Sequence, residues 1–247
     1  MDEIQRLREL AERSYNNGQY TFTDFMSVAE LSVYYDNEPE LRYAHPKLFG
    51  GCDLSERKII RFGNEDELGY AQEFPITALS IRPLASKFAD DLNHRDYLGS
   101  LMNLGIERDQ IGDILTGDKE AFVFATTEIA EMICKELVRI KHTSVKCEKV
   151  SSSDCDIRPA FEETSGSVAS ERCDAIIAFV YHLSRNEAQK LIEAESVFID
   201  GRTAYSGGYD LKPGSRVSIR GHGKFIYDGP SGTTRKGRLF VNVRKFV

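Results

Sequence analysis

Apolar residues recur at helical spacing from the start of the chain. Ile4, Leu7, Leu10 and Ala11 predict an opening helix. A second helix is expected near Thr23-Asp24, which offers a side-chain cap ahead of Phe25, Val28 and Ala29. After Pro39 the pattern reads as extended. Gly50-Gly51 marks a turn, and Arg57-Lys58-Ile59-Ile60-Arg61-Phe62 predicts a strand.

The middle segment has a clearer pattern. Ile76 to Arg82 predicts a strand stopped by Pro83. Asn93, with Asp96 three residues on, caps a helix whose apolar face is Tyr97, Leu98, Leu101, Met102 and Leu104, and Gly105 ends it. Short strands follow at Ile111–Leu115 and Ala121–Ala125. Thr127 is expected to cap a helix with Ile129, Ile133, Leu137 and Ile140 on one stripe, and Val145–Val150 closes with a strand. The order β-α-β-β-α-β is that of the ferredoxin-like plait. RNA-recognition modules share it, as do many unrelated proteins. Such modules stack bases on aromatics of the third strand. Here that strand lacks the K/R-G-F/Y start, and Phe122 and Phe124 are expected in the core.

Residues 151–170 are Ser-rich without apolar periodicity and read as a linker or mobile loop. Beyond them a helix is expected over about Glu171 to Val180. A second starts at Ser184, where Ser184-Arg185-Asn186-Glu187 forms a capping box. Ala188, Leu191 and Ile192 face inward, leaving Arg185, Gln189 and Lys190 outside. Short strands follow, punctuated by Asp200-Gly201, Gly207-Gly208, Pro213-Gly214 and Asp228-Gly229. The expected class is α+β in four parts. These are an N-terminal helical and strand segment (1–72), the plait (73–150), a linker (151–167) and a small α+β domain (168–247).

Composition narrows the chemistry. The 247 residues are 41% hydrophobic and 29% charged, an ordinary globular mixture. No run approaches the roughly 18 apolar residues of a membrane helix, and no signal peptide opens the chain. Five scattered cysteines argue for reduced thiols in a cytosol, not for a disulfide frame or a zinc site. The net charge of −7 conceals an asymmetry. Residues 1–170 hold 19 Lys+Arg against 31 Asp+Glu, whereas residues 171–247 hold 13 against 8. Screening confines the relevant field to about 8–10 Å, so the basic end is a candidate nucleic-acid surface on an acidic body; a tail that merely solubilises is the plainer alternative.

Catalytic motifs fail on inspection. His94-Arg95-Asp96 lacks the partner asparagine of a kinase loop, since Leu101 stands there. Gly232 to Gly237 has phosphate-loop spacing, but Arg238-Leu239 follows in place of Lys-Ser/Thr. The five histidines show no ligand spacing, and no cofactor is expected.

Two resemblances add to this. Arg172-Cys173-Asp174, then Leu183 to Ile192, then Val197-Phe198-Ile199-Asp200-Gly201, with Lys212 to Ile219 after them, resemble the S-four-type RNA-binding domain over about residues 170–225. Cys173 stands where Leu is usual, Glu195 where Gly is usual, and Asp200 where Asn is usual. Across nearly the whole chain, His94 to Gly99, Gly105 to Leu115, Gly50-Gly51 with Glu56-Arg57-Lys58, and Arg220 to Phe225 resemble the YlmH family of bacterial RNA-binding proteins. That resemblance implies a cytoplasmic, non-enzymatic protein associated with the large ribosomal subunit and its rRNA, or with peptidyl-tRNA. It further implies ribosome-associated quality control, in which alanine tails are added with an RqcH-type partner. A monomer away from membranes is expected.

The expected RNA surface follows from the residues. Ser184 opens a helix beside Arg185, where the helix dipole and a guanidinium suit a phosphate. Arg172, Gln189 and Lys190 would extend that groove, and Arg202, Lys212, Arg216, Arg220, His222 and Lys224 would carry it over the strands. Arg235, Lys236 and Arg238 fall in SGTTRKGR (231–238), read as a flexible loop that orders on RNA. For Arg185 the plainer reading is an ion pair with Glu187 or Glu193. His94, Arg95, Asp96, Arg108 and Asp109 form a candidate partner surface on the plait. Two other classes stay open: an RNA-modifying enzyme, and a protein–protein adaptor working through the acidic body.

Overall fold

Leu7 and Ala11 bury one stripe of the first helix, α1 (Glu3–Asn17), which stops where Gly18 takes φ 59°. The computed structural model describes residues 2–53, 55–155, 157, 161–235 and 237–246, and divides into two units, Met1–Arg158 and Pro159–Val247. Unit 1 continues with β1 (Thr21–Phe22), α2 (Val28–Leu41), β2 (Lys47–Phe49), β3 (Ile59–Phe62) and α3 (Glu65–Leu68). The three strands form a small sheet in the order β1-β3-β2.

The expected cap at Thr23-Asp24 is corrected to Ser27. Its hydroxyl accepts from Glu30 N while Glu30 accepts from Ser27 N at 2.6 Å. Thr23 is occupied elsewhere, its hydroxyl accepting from Ile60 N at 2.9 Å. The chain is not extended after Pro39, because the proline sits in the last turn of α2, which runs on to Leu41.

The plait then follows as β4 (Ile76–Pro83), α4 (His94–Met102), β5 (Ile111–Thr116), β6 (Ala121–Thr126), α5 (Thr127–Glu136), β7 (Arg139–Ile140) and β8 (Thr143–Val150). The sheet order is β5-β6-β4-β8-β7, with antiparallel neighbours. Asn93 and Asp96 form the expected box at the start of α4. Helix α5 is shorter than its apolar stripe predicts. Leu137 leaves helical geometry, Lys141 takes φ 51° in the β7–β8 hairpin, and Leu137 and Ile140 still bury in the same core. Burial continued the helical period beyond the helix.

Strand alternation assigns the two faces of this sheet. Leu79, Ile81, Ala121, Val123 and Ala125 pack with Tyr97, Leu101, Ile129 and Ile133 from the helices. On the other face, Ala78 and Phe124 pack against Phe25 and Ile59 from the N-terminal segment. Gly51 is forced by this contact: a Cβ there would lie 2.1 Å from Phe124 Cδ1, and its φ is 104°. Both Phe122 and Phe124 are buried, so the face that RNA-recognition modules leave open is closed by the chain itself.

Unit 2 contains β9 (Phe161–Val168), α6 (Cys173–Val180), α7 (Arg185–Glu193), β10 (Val197–Ile199), β11 (Arg202–Thr203), β12 (Arg216–Ile219), β13 (Gly223–Thr233) and β14 (Leu239–Phe246). They build one sheet in the order β11-β10-β12-β13-β14-β9, and α6 and α7 cover one side of it through Ile176, Ile177, Ala188, Ile192, Val217, Phe225 and Val241.

Two expectations change here. Residues 161–168, read as linker, form an edge strand paired residue by residue with β14. The burial along β9 is almost wholly exposed, so no apolar alternation signals it. The expected loop at 231–238 is largely hairpin. Strand β13 runs to Thr233, and Thr234 N donates to Arg238 O at 2.7 Å across a tight turn. Asp228-Gly229 is no strand break but a bulge within β13, where Gly229 takes φ 99°.

Candidate nucleic-acid interface

The short link from α6 to α7 sets the geometry. Ser184 caps α7 with its hydroxyl accepting from Glu187 N (3.2 Å), and Glu187 accepts from Ser184 N (2.7 Å). The bond from Ser184 N first, and then the Ser184 hydroxyl, hold the Glu187 carboxyl below its ordinary pKa. The cap therefore fixes where Arg185 leaves the helix, and it also places a negative charge in the first turn. Ser184 acts as a cap, with its hydroxyl committed to the backbone.

Asp174 is the centre of the site. It is 5% exposed, one residue into α6, and takes both arginines. Arg172 donates from Nε and Nη2 at 3.2 and 3.0 Å, and Arg185 from Nη2 at 2.6 Å. Burial acts to raise the pKa of Asp174, but the bonds from Arg172 and Arg185 outweigh it and hold the carboxyl below the usual range. The same bond raises the pKa of Arg172. One buried anion thus holds two half-exposed guanidiniums side by side, each with edges still facing out. Two cations share one buried anion, with Asp210 acting on Arg172 as a weaker second anion, and their outward guanidinium edges suit a phosphate. The predicted alternatives for Arg185 are displaced, because Glu187 serves the cap and Glu193 accepts from Gln189 at 3.2 Å. Gln189 is thereby engaged along its own helix. Lys190 is exposed on the same helix.

The strand cations form a second group. Arg216 and Lys224 alternate with the buried Val217 and Phe225, so they lie on the sheet face away from α6 and α7. Lys224 sits 4.7 Å from the Phe246 ring centroid and Arg220 5.9 Å from that of Phe198. Arg244, which the pattern reading omitted, belongs with them, held by Asp228 at 2.7 Å. His222 is exposed in the β12–β13 turn between Gly221 (φ 83°) and Gly223 (φ 100°). Lys212 is exposed ahead of β12. Glu195 takes φ 50° and Asp200 φ 51°, so both non-glycine turn residues hold the left-handed conformation; Asp200 also accepts from Arg216 N at 2.8 Å. At the far hairpin Arg238 donates to Ser167 O at 2.7 Å and Arg235 is exposed, while Lys236 lies outside the described residues.

The candidate surface of unit 1 does not gather. His94, Arg95 and Asp96 open α4, where Asp96 closes the cap and pairs with Lys141 at 2.7 Å. Arg108 and Asp109 follow its other end and serve the interior. Arg108 donates to the carbonyls of Ile111 (2.5 Å) and Gly112 (3.2 Å), and Asp109 O accepts from Phe25 N at 2.8 Å. Beside it Arg57 donates to Ile111 O, Phe25 O and Arg108 O at 3.0, 2.6 and 3.2 Å. Burial lowers the pKa of Arg57, and burial together with Arg57 lowers that of Arg108 to about 10.

Among the described residues no cluster of His, Cys, Asp or Glu could hold a metal ion, and no helix is long and apolar enough to cross a membrane.

Residues 70–154, the plait, match the family described as "Putative RNA-binding domain in YlmH". The "Ribosome-associated protein quality control protein P2" of Bacillus subtilis (strain 168) is 29% identical over 198 residues, covering 79% of this chain and 76% of that protein. The chain is thus similar to YlmH over the plait, and to the Bacillus subtilis protein over most of its length. A solved YlmH structure, the "Cell division protein ylmH from Streptococcus pneumoniae", aligns at a TM-score of 0.48 and 19% identity, covering 62% of this chain and 92% of that one. The family match and the cationic fork fall in different units. The first lies in unit 1 and the second in unit 2.

Proposed function

We propose that this chain is a non-enzymatic RNA-binding protein of the cytoplasm that engages folded RNA of the large ribosomal subunit or peptidyl-tRNA through unit 2, in ribosome-associated quality control. The observation that carries the reading is the fork of Arg172 and Arg185 on the buried Asp174. The name of the Bacillus subtilis relative supports the ribosomal setting. Alanine tailing with an RqcH-type partner is the finer role within that setting.

Cations that contact phosphate fix position and carry little sequence information, so the RNA is read by shape. Arg216, Lys224 and Arg220 would extend the contact over the sheet, with Lys190, Arg202, Lys212, His222, Arg235, Lys236 and Arg238 as peripheral charge. His94 and Arg95, at the start of α4, would meet a protein partner.

The test is co-sedimentation with large ribosomal subunits and filter binding to bulk tRNA across a salt series. Arg185→Ala and Arg172→Ala each should weaken binding about tenfold and lower the salt slope by about one, measured where each variant is fully folded, since loss of a partner of the buried Asp174 lowers the melting temperature of unit 2. Equal affinity of wild type and the double variant would refute the reading.

A further inference from the structure

The loop between β11 and β12 is stitched to the fork. Asp174 N donates to Gly207 O at 3.2 Å, Cys173 N to Tyr209 O at 2.8 Å, and the backbones of Arg172 and Asp210 pair as an isolated antiparallel β-bridge. Its anchor is Ala204, which is buried. The next residue, Tyr205, is 68% exposed and Tyr209 is 47% exposed, the two most exposed aromatic side chains described in unit 2. They line a pocket of about 470 Å³ together with Asp200, Arg202, Thr203 and Ser206.

Folding gains little from a tyrosine ring left in water, and the core of unit 2 is complete without these two. Aromatic rings beside an arginine, with hydroxyls at the rim, are the composition that receives an unstacked base. The volume lies within the range of small-ligand sites. The position matters as much as the composition: the pocket shares a loop with the residues that hold the fork, so a strand whose phosphate meets Arg172 passes beside it.

We propose that Tyr205 and Tyr209, with Arg202, form a stacking site for one unpaired nucleobase of the RNA whose backbone the Arg172–Arg185 fork holds. This rests on the RNA-binding reading and adds to it a contact that is not ionic. The fork supplies attraction that falls with salt. The tyrosine site supplies selection for RNA that presents a flipped or looped-out base near a held phosphate, over an uninterrupted duplex.

The difference in salt dependence separates the two contributions. With full-length protein and bulk tRNA or large ribosomal subunits as probes, Tyr205→Ala combined with Tyr209→Ala should weaken binding about tenfold at every salt concentration. Its lines should run parallel to wild type, whereas Arg185→Ala flattens the slope. The corresponding Phe variants keep the rings and should stay within about twofold of wild type. Ultraviolet crosslinking of the wild-type complex should leave a nucleotide on the tryptic peptide that begins at Thr203. Unchanged affinity of the double Ala variant, with wild type still binding RNA, overturns the stacking site alone and leaves the tyrosines to a protein partner. A loss equal in the Phe and Ala variants overturns it as well. Failure of wild type to bind either RNA overturns both this site and the RNA-binding reading.

Discussion

Two arginine pairs divide the labour of this molecule. In unit 1, Arg57 and Arg108 point inward and spend their donors on backbone carbonyls between the N-terminal segment and the plait. In unit 2, Arg172 and Arg185 share one buried carboxylate and keep about half of each side chain in solvent. The protonation energetics go opposite ways: burial lowers the pKa of the first pair, and Asp174 raises that of Arg172. Identical side chains are therefore glue in one unit and a charged surface in the other, and the partner decides which. Carbonyl oxygens absorb a guanidinium without leaving a surface, whereas a single carboxylate beneath two guanidiniums orients them and leaves their outward edges in solvent.

The sheets repeat the contrast, and the largest expected effect tests it there. Phe124 stands where a stacking aromatic would, yet Phe25, Ile59 and Gly51 cover it. Phe124→Ala should cost about 4 kcal/mol in urea unfolding of unit 1. Any RNA affinity lost should return under conditions where the variant is fully folded; a loss that persists in folded protein would mean the covered face opens. Arg57→Ala comes next. It removes three hydrogen bonds, takes from the Phe25 carbonyl its Arg57 donor, and should cost about 2–3 kcal/mol by the same measurement, with the salt slope of tRNA binding unchanged. A reduced slope would place Arg57 on RNA and end the division between the pairs.

Asp174→Asn sharpens the other side. The shape stays and the charge goes, so both guanidiniums lose their fixed direction. RNA affinity should fall about fivefold at fixed salt, although the net charge becomes more positive. Tighter binding would show that charge alone matters and that the fork has no orienting role. The pH dependence has a definite sign. The folded pKa of Asp174 is lowered, so its stabilisation is present above the unfolded value of about 3.9 and is lost only as pH falls through the folded value. Melting of unit 2 should accordingly be flat in this contribution from pH 5 to 8 and weaken only below about 4, and Asp174→Asn should remove that acid-side loss.

Local rules reached much of this architecture. The capping boxes at Asn93 and Ser184 were legible because a cap is a matter of three or four residues. The plait order followed from alternating periods. Long-range pairing was less accessible. Strand β9 carries no alternation because both its faces are largely exposed, and only β14, some 80 residues on, makes it a strand. For the same reason Asp174 escaped notice as a site residue. Its spacing from Arg185 has no periodic meaning, and its role exists only once α6 and α7 pack. Tyr205 and Tyr209 were equally silent, since exposure cannot be read from residue type in an irregular loop. Arg57 shows the reverse error risk: a polar residue at the head of an apolar run looks like a strand boundary, and its burial depends on carbonyls more than 30 residues away.

Ser184 gives the smallest and most discriminating effect, because two roles predict different observables. As a cap, its hydroxyl serves Glu187 N, and Ser184→Ala should cost about 1 kcal/mol of stability. Helix α7 would fray at its first turn, where Arg185 leaves it, so a modest loss of RNA affinity should track the loss of stability. Ser184→Asp separates the roles. Aspartate caps as well as serine and favours the helix dipole, so the variant should melt at or above wild type. Its added carboxylate beside Arg185 would repel a bound phosphate and weaken tRNA binding several-fold. A stable Ser184→Asp variant with full RNA affinity would move the phosphate away from the start of α7 and leave the Arg172 side of the fork as the point of contact.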